Sequence, residues 1–547
     1  MHGHRPSGHH GSPLVVPPDV HRRRWAILAV LATSLLITAI DHTIINVALP
    51  RMVAELDATT SQLQWIVDAY TVVFAGLLLT TGALGDRFGR RGALQLGLAV
   101  FLGGSLLAAT SATAGGVIAA RAVMGVGGAL IMPATLSILT TSFADPRERA
   151  KAIGAWAGVA GVGVALGPIA GGYLLDHFAW SSVFWVNVPF IVVALVAGRL
   201  LLPTSRAGDR RRLDLVGSAL SIAALAALVY AVIEAPDHGW TSGSSLAWFT
   251  GAATLLAAFI AWELHHPEPM LDMRFFADRR FTAASASITF AFFAMAGAVF
   301  LVTQYLQFAL GYTPLHAGVG ILPAALALFV AGPASAAVAG RIGARPTVAI
   351  GLGLAAAGLA GQALLVDGSG YLPVGIGQML LGLGLGLTMA PATESIMAAL
   401  PPEQAGVGSA VNDTTREVGS ALGVAIVGSA AAGVYGNEVA ARIGSLDPSE
   451  GVVAAAGDNV GAAHEVAAAL DPVTGDQLAR IASDAFVDAL HAGLWVAATV
   501  ALAGAALAAL GLPSRRTTAK THDLTTSAPL PTDLTDPADH EPIRTHA

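Results

Sequence analysis

The sequence predicts an all-α polytopic membrane protein with fourteen transmembrane helices. Three observations predict it. The 547 residues are 54% hydrophobic and only 12% charged, and the mean hydropathy is +0.65. Apolar runs of about 20 residues, long enough for a hydrocarbon core of roughly 30 Å, alternate with short polar breaks.

The same composition excludes other classes. With no cysteine there can be no disulfide and no thiolate metal site. Lys151 and Lys520 are the only lysines and neither follows a glycine, so no Walker A loop is available to drive the chain with ATP. The net charge of −7 comes largely from acids in one loop and the C-terminal tail. An enzyme, a cofactor and a nucleic-acid partner are not expected. His2, His4, His9 and His10 allow only a weak metal-binding reading of the N-terminal arm, and no metal site is expected.

Residues 1–24 read as a disordered cytosolic arm. The apolar segments fall at 25–48, 63–84, 92–111, 114–138, 151–174, 182–202, 213–235, 246–264, 281–309, 315–340, 346–366, 371–397, 405–431 and 488–511. No small-residue cleavage site precedes the continuation of the first, so it is a retained span and not a signal peptide. With the N-terminus in the cytosol, the inner segments carry Arg22 to Arg24, Arg87, Arg90, Arg91, Arg147, Arg149, Lys151 and most later arginines, against Arg51, Arg442 and Arg480 outside. That asymmetry places both termini inside a cytoplasmic membrane. Residues 432–487 read as one large acidic extracytoplasmic loop with short surface helices, and 512–547, rich in Thr, Pro and Asp, as a disordered cytosolic tail.

Asp41 stands sixteen residues into the first run, roughly 24 Å across the bilayer core. A charge there costs at least about 2.5 kcal/mol, so an intramembrane acid is a candidate for moving protons, ions or substrate. Asp68 in span 2 and Arg121 in span 4 fall at comparable depth, which sets two carboxylates and a guanidinium in one layer. Two readings stand: a proton-loading layer, or a permanent salt bridge holding spans 1, 2 and 4 together. Asp68, nearer the outer mouth, is the candidate for an auxiliary role in coupling or in attracting cationic compounds.

Glu394, Asp413, Arg416 and Glu417 mark a second layer near the inner end of spans 12 and 13. It reads either as an inner gate or as charges hydrated at helix ends. In span 5, Gly163, Gly167, Pro168, Gly171 and Gly172 give a smooth face with a bend, against which another helix can pack closely. In span 9, Phe292, Met295, Gln304 and Tyr305 are substrate-binding candidates by apolar and cation–π contact, although lipid-facing aromatics would look the same. A faint repeat sets Arg87, Gly89 and Arg91 after span 2 on Arg341, Gly343 and Arg345 after span 10. Two similar halves sharing a site are the expected build of a secondary transporter.

Four stretches then carry a family resemblance. Gly82 to Arg91 resembles the loop motif between spans 2 and 3 of the major facilitator superfamily. Arg121 to Gly127 is similar to its span 4 motif, with Met124 where glutamine is usual. Gly163 to Gly172 resembles the antiporter motif of span 5, and Asp41 to Pro50 the span 1 signature of its fourteen-span drug:proton antiporters of the QacA/EmrB type. The resemblance covers residues 25–511. It implies the major facilitator fold, with six-helix halves at 25–202 and 281–511 and two inserted helices with a cytosolic linker at 203–280. It also implies gating roles for Asp86, Arg87, Arg91 and the span 5 glycines, with Asp86 facing the N-terminus of a helix in the other half. The expected function is export of drugs, antibiotics or other hydrophobic, often cationic, compounds in exchange for protons, the alternative being a proton-linked importer or facilitator of a metabolite on the same fold. The expected partners are a lipophilic small molecule, protons and membrane lipid.

Overall fold

The computed structural model describes residues 18–143, 145–203, 214–364, 370–400, 405–444 and 450–512. The arm at 1–17 and the tail at 513–547 lie outside the described residues. Every described element is helical: α1 (Pro18–Leu56), α2 (Thr60–Phe88), α3 (Arg90–Ala109), α4 (Ala114–Ser142), α5 (Pro146–His177), α6 (Ser182–Trp185), α7 (Asn187–Leu201), α8 (Leu215–His238) and α9 (Gly243–His265). There follow α10 (Arg279–Gln304), α11 (Pro314–Gly320), α12 (Leu322–Ile342), α13 (Ala344–Gln362), α14 (Leu372–Met397), α15 (Ala405–Ile443), α16 (Glu450–Asp458), α17 (Val460–Ala469) and α18 (Pro472–Gly511).

Twelve of the described helical segments are long and apolar enough to cross a membrane, with α6 continuing into α7 and α11 into α12 as single spans. This is a multi-pass membrane protein. The two remaining predicted spans coincide with α2 and α5, helices of 29 and 32 residues.

Local sequence explains where the helices begin and end. Asp214, Ser242, Asp278 and Asp471 cap α8, α9, α10 and α18 by accepting from first-turn amides, which satisfies donors the helix itself cannot. Gly89 separates α2 from α3 with φ 102°, and Gly343 separates α12 from α13 with φ 96°. The two positions matched by the sequence repeat thus make the same left-handed break, which a side chain would resist.

One expectation is corrected. The segment 432–487 is not chiefly a loop, because α15 runs on to Ile443, α18 starts at Pro472, and α16 and α17 fill most of the space between them. The Thr474 hydroxyl and the amides of Thr474 and Val473 donate to Asp471 at the cap of α18, which holds its carboxyl below the usual range.

Helices α1–α7 pack among themselves, as do α10–α15 with α18, while α8 lies against α2 of one half and α15 of the other. Val72, Val229, Val232, Ile233, Ala421 and Ala425 form that three-helix seam. Hydrogen bonds joining the halves cluster at the end of the bundle that carries α16 and α17. Thr60 Oγ1 donates to Asp458 O at 2.7 Å, Asn459 Nδ2 to Ala58 O at 3.3 Å and Gln307 Nε2 to Val47 O at 3.3 Å.

Candidate functional site

Arg121 is the bulkiest fully buried side chain among the described residues. Its Nη1 lies 2.5 Å from Asp41 Oδ2, and each side chain is 1% exposed. Nε donates to Ile66 O at 2.9 Å, and the guanidinium stands 4.6 Å from the centre of the Tyr70 ring. Asn187 Nδ2 donates to the second oxygen of Asp41 at 3.0 Å and to Ser105 Oγ at 3.2 Å. One polar network therefore ties α1, α2, α3, α4 and α7, and each Asp41 oxygen has a donor. Low dielectric strengthens these bonds, and only the Asn187 Oδ1 is left buried without a partner among the described residues of this network.

Asp68 is different. It is 0% exposed and neither carboxylate oxygen has a hydrogen-bond partner among the described residues. The structure pairs Arg121 with Asp41 and leaves Asp68 without a donor among the described residues. A carboxylate without a counter-charge is costly to keep ionised in such a place.

Beside the cluster lies a cavity of about 950 Å³, its mouth included, walled by both halves. His42, Asn46 and Thr71 face it from α1 and α2, and Met295, Ser420 and Val424 from α10 and α15. Leu328, Leu381 and Leu385 make the rest mostly apolar. Its mostly apolar lining with a few polar groups matches a site for a lipophilic small molecule. The cavity and the charges are neighbours: His42 follows Asp41 in the chain, and its ring lies 5.9 Å from that of Tyr70, the aromatic under Arg121.

The glycines of α5 work on two fronts. A Cβ on Gly163 would press on Ala39, one on Gly167 would overlap Thr43 Oγ1, and one on Gly171 would meet Ile44, so this face lies directly on α1. A Cβ on Gly172 would strike the backbone of Pro314 and Leu315, and one on Gly318 the carbonyl of Pro168, so the same helix also meets α11 of the other half backbone to backbone.

The remaining predicted residues divide. The side chains of Asp86 and Arg87 lie outside the described residues. Arg91 donates to the carbonyls of Arg199 at 2.6 Å and Leu202 at 3.2 Å, which joins α3 to the end of α7 within one half. On α15, Asp413 and Arg416 are 3.9 Å apart and Glu417 Oε2 is buried without a partner among the described residues, whereas Glu394 of α14 is exposed. The four candidates of span 9 separate too. Met295 lines the cavity, the Phe292 ring lies 5.5 Å from the Arg416 guanidinium, Gln304 lines a second cavity and Tyr305 is buried. Sequence reasoning missed His42, Asn46, Thr71, Ser420 and Asn187. The first two stand four residues apart in the Asp41 stretch, hence on one helical face, and Asn187 is an amide in an otherwise apolar span.

Residues 31–424 match the profile of the Major Facilitator Superfamily. The chain is 35% identical over 494 residues to "Multidrug efflux pump LfrA" of Mycolicibacterium smegmatis, covering 90% of this chain and 97% of the relative. It is 32% identical over 499 residues to "Tetracenomycin C resistance and export protein" of Streptomyces glaucescens, covering 89% and 91%. In fold it is similar to a bacterial homologue of the human lysosomal transporter Spinster, with TM-score 0.62, 16% identity and coverage of 92% and 100%.

Proposed function

The chain belongs to the Major Facilitator Superfamily, and from that premise we propose that it exports drugs, antibiotics or other lipophilic, often cationic, compounds across the cytoplasmic membrane in exchange for protons. The observation that carries the reading is the apolar cavity shared by the two halves and set against a buried ionisable cluster. Relatives named as a multidrug efflux pump and as a resistance and export protein support the direction of transport.

In this reading the chain crosses the membrane fourteen times, with α2 and α5 among the spans and both termini in the cytosol. Asp41, Asp68 and Arg121 couple proton to substrate. Arg121 holds Asp41 as an ion pair in the state seen, and a proton can be taken up only once that pair loosens. The α5 glycines let the halves close at the α11 contact and reopen. Each proton entering supplies about 2.3 kcal/mol per 100 mV of membrane potential, besides the pH gradient.

The test is ethidium efflux from a pump-deficient bacterial host expressing the chain. Efflux is expected to be energised and to stop when an uncoupler is added. Efflux untouched by the uncoupler would remove proton coupling, and ethidium accumulation driven by an inward proton gradient would favour import.

A further inference from the structure

The main cavity reaches Val67 on α2 and Val424 on α15. One turn further along α15, roughly 6 Å on, Gly428 opens the wall of a second, much smaller cavity, which must widen to admit a compound. Phe300, Leu301, Ala431 and Phe486 make it apolar, and Gln304 and Tyr435 add neutral polar groups. Thr60 and the first residues of the α17 turn, Asn459 and Val460, bound it at the end where the halves are joined. No charged side chain is in its wall among the described residues.

Along α2, Gln64 lies between Thr60 in the wall of the second cavity and Val67 in the wall of the first. Gln64 of α2 is 1% exposed and reaches across to α15, its amide 3.3 Å from Ala425 O and 3.5 Å from both Val424 O and Ser429 Oγ. A Cβ on Gly428 would occupy the space of the Gln64 amide. The glycine therefore exists to receive a side chain from the opposite half. Donor distances of 3.3–3.5 Å are long beside the usual 2.7–3.2 Å, so the amide is held more by fit than by strong bonds.

We infer that Gln64, seated on Gly428, is a removable septum, and that the cavity beyond it is an exit subsite for the same lipophilic compounds. This rests on the export reading. Withdrawal of Gln64 as α2 and α15 part would join the two cavities. A wall without carboxylates holds a cation weakly, as a release site requires.

Because the chain has no cysteine, Ala432→Cys places a single thiol in the wall of the second cavity. In detergent-solubilised protein, ethidium is expected to slow N-ethylmaleimide labelling of that thiol severalfold when Gln64→Ala is also present. With Gln64 intact, or with Gln64→Leu, which keeps the bulk without the amide, it should not. In proteoliposomes, a bulky maleimide on that thiol should stop ethidium export and leave equilibrium ethidium binding within twofold, while a methylthio group should leave both intact. Labelling that ignores ethidium in both backgrounds overturns the septum, and export that persists under the bulky adduct overturns the exit subsite. If the unmodified protein binds ethidium but exports none, the export reading fails and the labelling result alone judges the septum.

Discussion

Asp41 and Arg121 illustrate how a buried pair constrains its own replacement. Taking away one partner leaves the other charge alone in low dielectric, at a cost of about 3–5 kcal/mol, so Arg121→Met is expected to lower the melting temperature by a few degrees. Arg121→Lys should not restore it, because one ammonium cannot reproduce the fork that reaches both Asp41 and the Ile66 carbonyl. Asp41→Asn should abolish uphill export while downhill substrate exchange in proteoliposomes continues, and full proton release on substrate addition from that variant would refute the assignment. Asp68 has no hydrogen bond to lose, so Asp68→Asn should leave the melting temperature within about a degree, which in a chain of 547 residues corresponds to about 1 kcal/mol. Resistance to dicationic compounds should fall more than resistance to monocationic ones, since an amide cannot ionise to match a second positive charge; equal losses would argue against that role. At the surface, hydrogen bonds from Arg24 at 2.9 and 3.0 Å hold the Glu148 carboxyl below its ordinary value of 4.5. A depressed folded value means that the stability is present above pH 4.5 and lost as pH falls through the folded value. Glu148→Gln should therefore melt slightly earlier at pH 7, with the gap closing as the medium is acidified below 4.5.

Helix α5 is read by what its missing side chains permit. Gly163, Gly167 and Gly171 seat it on α1, and Gly172 seats it on α11. A methyl forced into a packed contact costs about 1–3 kcal/mol, and each 1.36 kcal/mol is tenfold in rate. Gly167→Ala, which would collide with Thr43 Oγ1, should slow ethidium export about tenfold. Thr43 and Pro168 line the cavity, so ethidium binding is the control: equilibrium binding kept within twofold places the effect in the α1–α5 contact and not in the cavity. Equal losses of binding and transport would mean that the α1–α5 contact shapes the cavity and does not gate it.

For the whole molecule, the hydrogen bonds at the α16–α17 end and the α5–α11 contact hold the halves together there. Alternating access requires those contacts to part as the opposite ends of the halves approach. Lys151 near the start of α5 and Glu394 near the end of α14 are both exposed and belong to different halves. Spin labels on Lys151→Cys and Glu394→Cys in this cysteine-free chain should move closer by several ångströms when ethidium and an inward proton gradient are imposed, as in rigid-body domain closure. An unchanged distance under active export would rule out rocking of the two halves.

Composition and apolar run lengths determined that the chain is helical and membrane-spanning, because twenty apolar residues in hydrocarbon have no cheaper way to satisfy their backbone than a helix. The repeat was legible as well: Gly89 and Gly343 sit at equivalent breaks because a positive φ selects glycine wherever the chain needs it. Depth along a span brought Asp41 and Arg121 into one layer from spacing alone. Spacing could not say which acid holds the arginine, since that depends on how α1, α2 and α4 are rotated about their axes, and a helix rotation moves a side chain across the bundle without changing its depth. Helix rotation also decided that Met295 faces the cavity while Tyr305 does not, and that Gln64 meets Gly428. The end of α15 and the start of α18 escaped the sequence because their polar, alanine-rich turns leave the apolar pattern while staying good helix formers. Where the pattern carries the energy, the sequence is readable; where contact between distant helices carries it, only the packed structure decides.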